Sequence, residues 1–117
     1  MGRRILVTLV VAAFAPSAQA LDYKTWSRAS AGFKGGYVLA LAEYYGTVAQ
    51  LPKPEAFETV QAYRECFAGT DSRWLAEQVE AYVTRNPAAA EQEMVFVTHA
   101  AFRDICKVML EKVPPVQ

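Results

Sequence analysis

The chain has 117 residues, of which 53% are hydrophobic and 21% charged, with no formal net charge. That is room for one small domain, and it is too apolar and too evenly charged for a disordered tail. Twelve Lys and Arg against twelve Asp and Glu also exclude a basic nucleic-acid binder.

Residues 1–20 read as a secretory signal peptide. Arg3 and Arg4 form a positive start, Ile5 to Ala15 is an uncharged apolar run of eleven residues, and Ala18-Gln19-Ala20 supplies the Ala-x-Ala cleavage pattern. Eleven residues fall well short of the roughly twenty needed to cross a bilayer. The expected product is a single helical domain, 21–117, in a bacterial periplasm, with no membrane association once the signal is removed. Losing Arg3 and Arg4 leaves ten basic and twelve acidic residues, a net charge of −2.

Cys66 and Cys106 are the only cysteines. An even count in an oxidising compartment reads as one disulfide. Closing a loop of 106 − 66 = 40 residues is worth about 4 kcal/mol on the chain-entropy account. There is no Cys-x-x-Cys redox pair, no haem-attachment motif, and one histidine, too few for a zinc set. No cofactor or metal is expected.

The rest of the chain predicts four helices. From Trp26 to Tyr45 apolar residues recur at 26, 29, 33, 37, 40, 41, 44 and 45, the spacing of a helical stripe. Thr25 is placed to cap it and Gly46 to stop it. Gly32, Gly35 and Gly36 lie inside, each costing about 1 kcal/mol relative to Ala. They point to a close helix–helix contact or a break in the first half, or else to a frayed first turn with intact helix from Phe33.

Leu51-Pro52-Lys53-Pro54 is a connector, and Pro54 suits the first turn of a second helix carrying Phe57, Val60, Tyr63 and Phe67. Ala68-Gly69-Thr70 breaks it. Thr70, Asp71 and Ser72 are all able to cap a third helix with Leu75, Val79, Tyr82 and Val83. Asn86-Pro87 then opens a fourth, expected to run through Ala88-Ala89-Ala90 to Met109 and to end at Pro114-Pro115. Met94 to Thr98 has strand propensity, but a strand without a partner makes no sheet, so helix is the expectation. The fold class is all-α: a small four-helix bundle or orthogonal helical array with one disulfide.

Catalytic signatures are scarce. His99 is a lone histidine on a helix, a position more often structural than catalytic. No Gly-x-Ser-x-Gly elbow or phosphate loop occurs. Glu77, Glu80, Glu91 and Glu93 read as solvated helix faces. The expectation is a non-enzyme. Aromatic residues are the unusual endowment, and Tyr and Trp are over-used at protein interfaces. Tyr44 and Tyr45 are adjacent, so both cannot face inward, and one of them is the candidate partner contact.

Gly36-Tyr37-Val38, Cys66, Gln78, Tyr82-Val83-Thr84-Arg85-Asn86-Pro87, and Ala100-Ala101-Phe102 leading to Cys106 occur in that order. From about Phe33 to Cys106 the pattern resembles the periplasmic immunity proteins that neutralise type VI secretion amidase toxins, the Rap/Tai immunity family. The resemblance implies an all-helical, disulfide-braced domain that binds and inhibits a cell-wall amidase. Two other readings suit the same features: an acid-stress periplasmic chaperone, and an orphan periplasmic domain of the same fold. The expected partner is a protein of unknown identity, with a homodimer as one form the domain can take.

Overall fold

A computed structural model describes residues 20–47 and 54–114. The signal segment (Ala20 apart) and most of the 51–54 connector lie outside the described residues. The elements are α1 (Tyr23–Ser27), α2 (Ala31–Thr47), α3 (Pro54–Phe67), α4 (Ser72–Arg85), a 3₁₀ helix (Pro87–Glu91), α5 (Met94–Ile105) and α6 (Lys107–Glu111). The fold is all-α, as the sequence leads one to expect. Among the described residues the only extended pairing is one antiparallel bridge, Asp22 to Glu93.

Two of the expected helices are divided. The first helix is two helices. The Asp22 carboxylate, not Thr25, accepts the first-turn N–H, from Thr25 at 2.7 Å, because Asp22 is already extended at φ −92° and ψ 163°. After Ser27 the chain turns, with Ala29 N–H donating to Trp26 O. The Ser30 hydroxyl then accepts from Phe33 N–H to start α2.

The fourth helix is divided as well. Pro87 to Glu91 winds as 3₁₀, and the Asn86 side chain donates back to Tyr82 O rather than capping forward. Gln92 and Glu93 are extended, and the neighbouring strand-like contacts are Tyr23 N–H to Gln92 O and Met94 N–H to Leu21 O. Cys106 then interrupts the helix between α5 and α6.

The middle of the chain follows its local signals. Asp71, out of the three possible residues, caps α4 by accepting from Trp74 N–H at 2.8 Å. Thr70 instead donates its hydroxyl to Phe67 O, closing α3. Gly69 supplies the left-handed turn between them at φ +74°. Met94 to Thr98 is helical, and the buried Thr98 hydroxyl is satisfied by Met94 O one turn back.

Trp26, Leu75, Met94 and Phe102 are fully buried at the centre of the core, each worth roughly 1.5–3 kcal/mol of apolar burial. The Cys66–Cys106 disulfide, with Cα atoms 5.5 Å apart, ties the end of α3 to the α5–α6 junction. Trp26 also reaches outward: its indole N–H donates to Lys34 O, and the Lys34 ammonium sits 5.1 Å above its ring. Lys34 is paired with Glu80, so α1, α2 and α4 meet at one lysine.

Candidate functional site

α2 is apolar on two opposite faces. Its inner face is formed by Gly35, Val38, Ala42 and Gly46, all buried. Gly35 is there because the helices approach closely: a Cβ at this position would lie 3.1 Å from Ser72 Cβ and Oγ of α4. This is the close contact that the glycines suggest. Gly32 and Gly36, by contrast, have nothing within 4 Å of where a Cβ would be.

The outer face carries Phe33, Tyr37, Ala40 and Tyr44, at the four–three–four spacing of one helical stripe. Phe33 and Tyr44 are each 51% exposed. The Phe33 and Tyr37 rings stack with centroids 6.4 Å apart. The sequence stripe is therefore split: Phe33 and Tyr44 face solvent, Tyr37, Leu41 and Tyr45 pack partly against the core, and the closest core contact is made by the smaller residues of the inner face. A helix apolar on all sides is normally covered on all sides. Lys34 and Glu43 are the only charged residues in α2.

Tyr44 and Tyr45 divide as their adjacency requires. Tyr44 projects from the outer face. Tyr45 is half-buried, its ring 5.2 Å from Tyr63, 5.5 Å from His99 and 5.8 Å from Phe102. A hydrogen bond joins its hydroxyl to His99 Nδ1. Burial pushes the Tyr45 hydroxyl above its ordinary pKa, and the neighbouring Tyr63 and Tyr44 act in the same direction. The contact candidate within the pair is Tyr44, while Tyr45 and His99 lock α2 to α5.

Cys66 and Cys106 are joined to each other, as above. The glutamates do not converge: Glu77 pairs with Arg73, Glu80 with Lys34, and Glu91 with Lys24. Among the described residues no group of three or more His, Cys, Asp or Glu is placed to hold a metal ion, and no helix is long and apolar enough to cross a membrane.

What α2 offers is aromatic contact area on a braced scaffold. Phe33 was legible only as part of a stripe, because its outward direction depends on which side of α2 meets α4. Compared with protein-family models, curated proteins and solved structures, the chain matches none.

Proposed function

We propose that residues 21–117 form an exported, non-catalytic protein-binding domain whose docking surface is the outer face of α2. The observation that carries this reading is the pair of exposed rings, Phe33 and Tyr44, with half-buried Tyr37 between them, on a helix whose opposite face is buried. Exposed aromatic rings give large contact area at low cost in side-chain entropy, and residues of this kind act as anchors in interfaces. The disulfide supports the reading too, since a pre-ordered surface loses little freedom on docking.

Within that class we propose an immunity-type inhibitor of a periplasmic cell-wall amidase. The ordered motifs from Phe33 to Cys106 support this choice, together with the N-terminal export signal. The test is direct: the mature domain is mixed with the amidase encoded beside its gene, and peptidoglycan cleavage is followed. Inhibition that weakens in Phe33→Ala and Tyr44→Ala supports the proposal. Full cleavage in the presence of excess domain sinks the amidase reading.

A further inference from the structure

Between α2 and α4 lies a cleft of about 470 Å³, lined by Ala31 and Lys34 of α2 and by Ser72, Arg73, Ala76, Glu77 and Glu80 of α4. It falls within the roughly 300–1,000 Å³ typical of small-molecule sites. Two other clefts, of about 230 and 190 Å³, fall below that range. The α2–α4 cleft is apart from the aromatic stripe, and its chemistry is different.

Its charges are balanced and come as two pairs. Lys34 reaches across from α2 to Glu80, and its side chain is only 18% exposed. Arg73 Nε meets Glu77 Oε1 at 3.1 Å one turn along α4, with both side chains well exposed. Exposed pairs of this second kind contribute about 0–1 kcal/mol, so the Arg73–Glu77 contact opens at little cost. Glu77 and Glu80 stand three residues apart on one helix face, where like charges disfavour each other. Ala31 and Ala76 add small apolar surface, and the Ser72 hydroxyl adds a hydrogen-bonding group.

A ligand of one sign gains little in such a place. An anion that engages Arg73 leaves Glu77 unmatched, and a cation that engages Glu77 leaves Arg73 unmatched. A ligand carrying both signs a short distance apart satisfies both halves of the opened pair. We propose that this cleft binds a small zwitterion, a free α-amino acid or a short peptide with unblocked ends. Its carboxylate meets Arg73 and its ammonium group meets Glu77, while Lys34 and Glu80 stay paired at the cleft's edge. The proposal does not depend on the α2 surface and stands or falls separately from it.

The test is an NMR titration of the full mature chain with L-alanyl-L-alanine, with free L-alanine as a parallel arm to distinguish peptide from amino acid. Saturable shifts centred on Ala31, Ser72, Arg73 and Ala76 are expected with at least one of the two. Acetylating the amine or amidating the carboxyl end should each weaken binding about tenfold. Arg73→Gln and Glu77→Gln alter exposed side chains, so their spectra elsewhere should match wild type while affinity falls several-fold. The proposal is overturned by a lack of saturation at the cleft with either probe, by shifts mapping elsewhere, or by blocked and unblocked probes binding alike.

Discussion

The rings of Tyr44 and Tyr45 are neighbours in sequence with centroids 6.2 Å apart, yet they stand nearly perpendicular, at 78°. One is committed to the outer surface and the other to the α2–α5 contact. Substitutions should separate these roles. Tyr45→Phe removes the hydroxyl shared with His99 and is expected to cost about 0.5–1.5 kcal/mol. Tyr45→Ala, which also empties a half-buried packing position, should cost about 2–3 kcal/mol. Tyr44→Ala should stay within about 0.5 kcal/mol of wild type. Denaturant unfolding measures all three, and a Tyr44→Ala loss as large as that of Tyr45→Ala would contradict the assignment.

The three glycines in the first half of α2 should respond differently. Gly32→Ala and Gly36→Ala place a methyl in open space and should each stabilise the domain by about 0.5–1 kcal/mol through helix propensity and the unfolded chain. Gly35→Ala drives a Cβ to 3.1 Å from Ser72 Cβ, and a rigid neighbour of that kind erases the gain. It is expected to be at least about 1 kcal/mol less stable than the other two. Thermal melting of the three variants gives the order.

Reduction of Cys66–Cys106 should be costly. The bridge closes a 40-residue separation, for which the chain-entropy account gives about 4 kcal/mol, and the measured loss should lie between about 2 and 5 kcal/mol. Intact mass of the oxidised mature chain should fall two hydrogens short of the reduced chain. A Cys66→Ala/Cys106→Ala double variant as stable as wild type would overturn this account of the bridge.

Stability should fall in alkali before it falls in mild acid. Burial raises the Tyr45 and Tyr63 hydroxyls above the ordinary value of 10.0, with Arg103 opposing at Tyr63. A raised folded pKa means stability that is complete below the unfolded value and lost as pH rises through the folded one. Asp22 has the opposite sign: the hydrogen bond from Thr25 holds its carboxyl below 3.8. Its contribution is present above that value and is lost as pH falls through the lower folded one. Helical circular dichroism should therefore hold down to about pH 4.5, above the ordinary carboxylate range, and decline in alkali beyond the tyrosine range. A helix-to-coil change between about pH 6 and 5, above the range in which carboxylates take up protons, would contradict it.

Much of this fold was legible locally, and what was not depends on distant contacts. The Gly69 turn and the Asp71 cap of α4 are written in adjacent residues. The extended start ahead of α1 and the gap before α5 share one cause: Leu21 and Tyr23 hydrogen-bond with Met94 and Gln92, some seventy positions away by sequence number. No window of helical periodicity contains both ends of that contact. The candidate surface was half legible. Adjacency required Tyr44 and Tyr45 to part, but the close approach of α4 at Gly35 decided which way each one faced. Phe57 is similar: it extends the apolar pattern of α3, yet it is 54% exposed.

The outer face of α2 is the surface we propose for docking a protein partner. The most direct test is the dissociation constant between the mature domain and an amidase encoded beside its gene, compared for wild type and Tyr44→Ala. Truncation of an interface anchor costs at least about 2 kcal/mol, so affinity should fall by more than tenfold while unfolding stability is unchanged. An affinity for the amidase that Tyr44→Ala and Phe33→Ala leave intact would contradict the claim, as would no measurable binding by the wild-type domain.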